Sequence, residues 1–419
     1  VSRRLGGDGR RILAAQALRA FGYGFGAVLL GVTLDERGFG PLQVGIVLTG
    51  VVAGTVVASV AVARWGDRFG RRRSYVSLYL VLALTGAVFA ASSPLWALVL
   101  ISLAGGLSTE VVESGPFTSL EQSMLSTELS GHELVRGFGV YNAVATAAGS
   151  LGALAAGLPA LLHDRWTGTP SDDRFFVVFV VVALAGAAVA ATLSPRVEAD
   201  SPEDADPSVA SRLRRSRSVV RRLSALFAMD SFGGGFVVQA FIAYWLVARF
   251  GASIQLVGVV FFVVGGLQTL SFLCAPRLAH RFGLLDTMVF THLPSNVLLA
   301  AMAFAPTLPI AIGLLLARVA LSQMDVPTRQ AYVMALVDPE ERTPAAAYTN
   351  TARYITRPTG PLLAGAASSV WLGLPFLLAG AVKGTYDVIL WRWFRAVPAA
   401  GEAPTAASAA PVEVLEDAT

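Results

Sequence analysis

Several charged side chains of this chain lie inside long apolar runs. There they are costly unless they face a partner or a wet cavity. Glu110 and Glu113 stand at i, i+3, and Arg318, Ser322, Asp325 and Arg329 at 0, +4, +7 and +11, so each set shares one helical face. Asn350, Arg353 and Arg357 share another face, with Pro358 next, where a freed carbonyl can accept from Arg357. Three chemistries are open to such residues. Arg19 with Asp230, and Glu110 or Glu113 with Arg318, can form ion pairs. A desolvated carboxyl, at Glu113, Glu110 or Asp325, can carry a proton near neutral pH. Arg19 and Arg318 can clamp an anionic group. Lys383 and Asp387, at i, i+4, read as a structural pair that neutralises itself.

The elements that position these residues are apolar segments long enough to cross a bilayer as helices. Apolar residues make up 54% of the chain and charged ones 14%, with mean hydropathy +0.62, against about 25% charged in a soluble domain. Twelve spans are expected, at roughly 12–33, 43–63, 74–92, 95–116, 137–160, 175–194, 223–247, 255–275, 286–305, 308–328, 345–369 and 373–394. The first carries Arg19 and lacks a small-residue cleavage site, so it reads as a retained span rather than a signal peptide. Arginines gather in the N-terminal arm, the even-numbered loops and the C-terminal boundary, leaving Arg37, Arg165, Arg174 and Arg249 on the other side. By the positive-inside rule both termini are expected in the cytoplasm. The net charge of +4 is then a topology signal and gives no reason to expect nucleic acid. The one cysteine, Cys274, is expected to be an inert buried thiol.

The chain repeats itself. Arg19-x-Phe21-Gly22-x-Gly24-Phe25 matches Asp230-x-Phe232-Gly233-x-Gly235-Phe236, and Glu121-Gln122 meets Arg329-Gln330 at a slightly shorter offset. Ala63-Arg64-Trp65-Gly66-Asp67-Arg68-Phe69-Gly70-Arg71-Arg72-Arg73 is echoed by Pro276-Arg277-Leu278-Ala279-His280-Arg281-Phe282-Gly283. Residues 1–194 and 223–397 thus read as two halves, 195–222 as a cytoplasmic linker, first acidic and then basic, and 398–419 as a disordered tail.

The first loop resembles the signature between helices 2 and 3 of the major facilitator superfamily (G-x-x-x-D-R-x-G-R-R), and the second resembles the weaker copy between helices 8 and 9. That resemblance implies an all-α integral membrane protein with twelve transmembrane helices, arranged as two six-helix bundles about a pseudo-two-fold axis. It implies a cavity lined by helices 1, 4, 7 and 10, hence by Arg19, Asp230 and Arg318, joined by Arg357 and Asn350 from helix 11. It also implies a gating role for Asp67, Arg68, Gly70 and Arg71. Departures are present: Ala63 replaces the first glycine and His280 the second aspartate. Gly152-Ala153-x-x-Ala156-Gly157 lacks the proline of the antiporter motif, and helix 4 carries glutamates where drug antiporters carry arginine. Met324-Asp325-Val326-Pro327-Thr328-Arg329-Gln330 resembles a bacterial branch of the superfamily.

The function so implied is secondary active transport by alternating access, first as proton-coupled export of a small organic molecule. Uptake or exchange of an organic or phosphorylated anion is the alternative, and a substrate-triggered membrane sensor a third. Expected partners are the substrate, protons and lipids around a monomer in the inner (plasma) membrane. His132, His163, His280 and His292 lack metal-ligand spacing, and no Gly-Lys-Ser/Thr loop is present, so neither metal, cofactor nor enzymatic activity is expected.

Overall fold

Lipid offers the backbone no hydrogen bonds, so an apolar segment must satisfy itself as a helix. The computed structural model describes residues 6–108, 110–111, 115–128, 131–163, 172–198, 216–338 and 341–397, and these contain helices and no strand. The first half comprises α1 (Gly7–Glu36), α2 (Pro41–Phe69), α3 (Arg71–Ala91), α4 (Leu95–Leu103), α5 (Pro116–Glu128), α6 (Gly131–Ala155), α7 (Leu158–His163) and α8 (Val177–Ala191). The second comprises α9 (Arg217–Gly235), α10 (Gln239–Phe250), α11 (Ile254–Phe282), α12 (Leu284–Met302), α13 (Leu308–Ser322), α14 (Asp325–Leu336), α15 (Arg342–Thr356), α16 (Thr359–Val370) and α17 (Leu374–Phe394). Ten stretches of the described residues are long and apolar enough to span a membrane. The split spans α4/α5 and α15/α16 bring the architecture to twelve crossings in two six-helix bundles. The seventh crossing starts at Arg217, inside the stretch expected to be linker.

Val57, Trp96, Val181, Leu273 and Val297 are well exposed on the outside of the bundles, as lipid-facing residues should be. Cys274 is exposed beside Leu273, which corrects the expectation of a buried thiol.

The span expected at 95–116 is not one helix. Leu103 ends α4, and the chain resumes as α5 only at Pro116, with Gly105 (φ +76°) and Gly115 (φ +60°) in the left-handed region that glycine enters without penalty. A Cβ on Gly105 would lie 2.4 Å from Gly54 O, so helix 2 lies directly against this break. Carbonyls freed by the unwinding are met by hydroxyls: Tyr23 donates to Gly106 O (3.0 Å) and Thr55 to Leu107 O (3.2 Å). Glu110 therefore sits on irregular backbone. Glu113 itself lies outside the described residues. The tenth span breaks too, between Ser322 and Asp325, which separates Arg318 from the face it was expected to share with Asp325 and Arg329.

The halves meet through α1 against α10, α2 against α16 and α6 against α11. These are close approaches, two of them to backbone and one to a side chain. A Cβ on Gly45 would lie 2.6 Å from Pro361 O, one on Gly365 2.6 Å from Pro41 O, and one on Gly265 1.8 Å from Ser150 Oγ. All lie toward the ends of the helices remote from the start of α1 and the end of α17. On the terminus side, α5 and α9 make their principal contacts within their own halves. Among the described residues the molecule is closed at one end and parted at the other. Gly365→Leu should wedge the closed end apart at an overpacking cost of about 1–3 kcal/mol. In a Cys274→Ser background, a reporter Ser150→Cys should then label roughly tenfold faster with a membrane-impermeant thiol reagent added on that side. An unchanged rate in a folded variant would mean that these glycines do not hold the closure.

Candidate functional site

In the first half, Arg19 on α1 is fully buried and bonds Glu121 on α5 in a fork: Nε to Oε1 at 3.2 Å and Nη2 to Oε2 at 2.7 Å. Tyr75 on α3 donates to Oε1 (2.7 Å) and Tyr141 on α6 to Oε2, so the carboxylate is fully partnered. The guanidinium also lies over the rings of Tyr23 and Phe117, at 5.4 and 5.1 Å.

In the second half, Asp230 on α9 binds Lys383 of α17 and, at 3.4 Å, Arg329 of α14. Arg329 also binds Asp325 one turn back at 2.9 Å and lies over Phe227. Asp387 on α17 is held by His292 Nδ1 and Asn296 Nδ2 of α12, both at 2.8 Å, and His292 Nε2 lies 3.9 Å from Asp230.

The two clusters are copies with reversed sign. The repeat places Arg19 where the other half has Asp230, and Glu121 where it has Arg329, so Arg19–Glu121 answers Asp230–Arg329. The expected Arg19–Asp230 pair is not formed: each residue is buried in its own half, facing its own neighbour. Lys383 and Asp387 do not pair with each other either; Lys383 reaches α9 and Asp387 reaches α12. Sequence reasoning missed Glu121 because helix 4 was ended too early. It missed His292 because histidines were tested only for metal spacing, although His292 and Asn296 stand at i, i+4 in an apolar helix.

One described ion pair crosses between the halves. Glu110, on the unwound segment of helix 4, meets Arg357, at the α15/α16 junction ahead of Pro358. The glutamate side chain is 36% exposed and the arginine 18%, whereas the members of the two buried clusters are 9% exposed or less. Arg318 on α13 feels the charges of Asp230 and Glu110 yet has no hydrogen-bond or ion-pair partner among the described residues; its Nε is shielded from solvent. Asn350 is exposed on α15. Beside Glu110, Val111 joins Thr146, Ser150, Gln239 and Gln268 around a small cavity between α6 and α11. The described residues hold no cluster of metal-ligating side chains.

At the terminus-side surface, Asp67 is in the last turn of α2, and its side chain lies outside the described set. Gly70 (φ +98°) turns the chain into α3, whose first amides, on Arg71 and Arg72, donate to Glu198 at 2.6 and 3.3 Å. Arg72 also donates to Leu193 O (3.1 Å), and Arg68 is exposed. A carboxylate at a helix N-terminus meets free amides and a positive dipole. Asp8 caps Ser194 N in the same region (3.1 Å), and Glu341 takes Ser216 N (2.8 Å) where the second half begins. Both ends of the connecting segment are thereby fastened to their own halves.

The reversed copies make a direct test possible. Arg19→Gln should leave Glu121 buried without its cation, at about 3–5 kcal/mol, and lower the melting midpoint in detergent sharply. The exchange Arg19→Glu with Glu121→Arg should recover most of that loss, because the second half already carries that polarity at matching positions. A double exchange as unstable as the single variant would show that the pair is held by shape and by the tyrosines rather than by opposite charge.

This geometry can be set beside known proteins. The family model of the Major Facilitator Superfamily matches residues 12–355. A membrane protein of Saccharomyces cerevisiae, uncharacterised and designated YJR124C, is 25% identical over 427 residues, covering 94% of this chain and 95% of its own length. Among solved structures, the nucleoside transporter NupG superposes with a TM-score of 0.72 at 15% identity, over 93% of this chain and 99% of its own. A D-xylose–proton symporter superposes with 0.69 at 15% identity, over 91% and 97%. The partially occluded inward-open xylose transporter XylE of E. coli gives 0.69 at 13%, over 96% and 100%. These likenesses establish a common fold. With the family model spanning most of its length and both halves built as that fold requires, this chain belongs to the Major Facilitator Superfamily.

Proposed function

We propose that the chain is a proton-coupled secondary active transporter of a small organic molecule, rocking its two halves about a mid-membrane site. We place it in the inner (plasma) membrane as a monomer with both termini cytoplasmic, which makes the parted end the cytoplasmic one. The observation that carries the reading is the Glu110–Arg357 bridge. It is the described ion pair that joins the halves, it lies at a break in helix 4, and water can reach it. A carboxylate there loses its cation when the halves move, and a desolvated carboxylate without a cation takes up a proton. Glu110 is therefore our coupling carboxylate. Glu113 is the next candidate, then Asp325, which Arg329 already neutralises. Asp67, Arg68, Gly70 and Arg71 serve the gate, with Glu198 as the anchor of that loop.

Export and uptake differ in one respect. In proton-driven export the substrate and the proton compete for the site, and in proton-driven uptake they bind together. Export of a neutral or cationic molecule accords with the carboxylate facing the cavity. Uptake or exchange of an organic anion is favoured by Arg318, a cation with no ion-pair partner among the described residues.

In proteoliposomes, with a compound drawn from a thermal-stabilisation screen of small acids, bases and neutral metabolites, Glu110→Gln should abolish accumulation driven by a proton gradient. It should leave downhill exchange within about threefold of wild type, since glutamine mimics the protonated acid. Undiminished gradient-driven accumulation by this variant would move the proton site to Glu113 or Asp325.

A further inference from the structure

We infer that the first half carries a binding site for an anionic phospholipid, in the groove between the start of α1 and the end of α8. The lipid phosphate sits on Arg10 and Arg11, and one acyl chain runs along the seam between the two helices. The groove has a volume of about 470 Å3 and is lined by Arg10, Arg11 and Ala14 of α1 and by Ala188, Val189 and Thr192 at the end of α8. That volume falls within the range of small-ligand sites, about 300–1,000 Å3. Arg10, Arg11 and Thr192 stand at the terminus-side end, while Ala14 and Ala188 lie about a turn deeper. Val181, Leu184, Ala188 and Thr192 follow one another on one face of α8, and all four are exposed. The groove therefore leads from two arginines onto apolar, lipid-facing surface, as an amphipathic ligand with a charged head requires.

Charge selects the headgroup. The Arg10 guanidinium has no ion-pair or hydrogen-bond partner among the described residues. Arg11 bonds Asp8 at 2.9 Å and remains 45% exposed, which leaves donors free for a second anion. Asp8 is itself taken up by the amide and hydroxyl of Ser194, and no acid lines the groove. Two arginines against one aspartate leave the rim with positive charge in excess. A zwitterionic headgroup gains less there than an anionic one, because its own cation opposes the arginines.

The repeat supplies an internal comparison. At the offset that pairs Arg19 with Asp230, Arg10 and Arg11 fall on Arg221 and Arg222. The corresponding seam of the second half lies between α9 and α17, and there the guanidinium of Arg222 lies 6.0 Å from the Trp393 ring centroid. The last turn of α17 carries Trp391 and Trp393, whereas that of α8 carries Val189, Ala190 and Ala191. The second half thus packs its own indole beneath the matching arginine, and the small residues of α8 keep the groove of the first half open.

The test uses purified full-length protein in detergent, titrated with dioleoyl phosphatidylglycerol, dioleoyl phosphatidylcholine or glycerol 3-phosphate. Bound lipid is counted by native mass spectrometry, and stabilisation is read from the melting midpoint. One copy of phosphatidylglycerol should be held about tenfold more tightly than phosphatidylcholine of the same chains. Arg10→Gln should weaken it about fivefold, the share of one arginine near anionic headgroups. Ala188→Trp, which gives the first half an indole like that of the second, should release the lipid whatever its headgroup. Arg221→Gln should leave binding within about twofold. Circular dichroism checks folding, and Arg10→Gln, a surface change, decides the matter if Ala188→Trp does not fold. Equal retention of phosphatidylcholine, undiminished binding by folded Arg10→Gln or Ala188→Trp, or an equal loss in Arg221→Gln overturns the site. No retained lipid at all overturns it as well. Displacement of the lipid by an equal concentration of glycerol 3-phosphate would mark a site for free phosphate esters and overturn the lipid assignment.

Discussion

The two buried clusters of charge are each neutralised within the half that carries them, and this constraint shapes the interior of the molecule. If Arg19 had bonded Asp230, as their matching repeat positions suggest, a fully desolvated ion pair would have crossed the very surface along which the halves must move. Breaking it would cost several kcal/mol in each cycle. The duplication instead closes the pair inside each half, Arg19 with Glu121 and Asp230 with Arg329, at matching repeat positions and with opposite sign. Each bundle then keeps its buried ion pairs closed within itself. The link between them is left to Glu110 and Arg357, where water lowers the cost of separation.

Broken helices make this arrangement possible. A continuous helix 4 would have kept Glu110 on a regular face with its backbone closed. The break after Leu103 frees the carbonyls of Gly106 and Leu107 inside the bundle, which is tolerated because Tyr23 and Thr55 satisfy them. The kink before Pro358 places Arg357 opposite, and the break after Ser322 puts Asp325 in the first turn of α14, next to Arg329. Meanwhile Gly45 and Gly365 let backbones touch at the closed end, and Gly265 admits the Ser150 side chain, so the halves seal there by contact and not by charge.

The fold was legible in the sequence because spans, repeats and the signature loop are properties of local composition. The intramembrane charges were legible as a set, since lipid makes any charge conspicuous. Their pairing was not. Spacing along one helix suggested Lys383 with Asp387, but the short lysine-to-aspartate turn lost to neighbours across the bundle, Asp230 for one and His292 for the other. Glu121 was hidden by an assumption of unbroken helices, although Gly105-Gly106 and Gly115-Pro116 mark both edges of the gap. Glu198 was hidden because its partners are backbone amides, which no side-chain motif reveals.

The central claim is that two halves, each with its buried ion pairs closed internally, move as rigid bodies about the partly exposed Glu110–Arg357 bridge. Double electron–electron resonance tests it most directly, in a Cys274→Ser background with spin labels at the exposed positions Phe69, Phe282 and Trp393. Phe69 to Phe282 spans the two halves on the terminus side, and Phe282 to Trp393 lies within the second. The account predicts two populations for the first distance, shifting with pH, and a single unshifted population for the second. A second distance that changes as much as the first, or a first distance with one population at every pH, would contradict it.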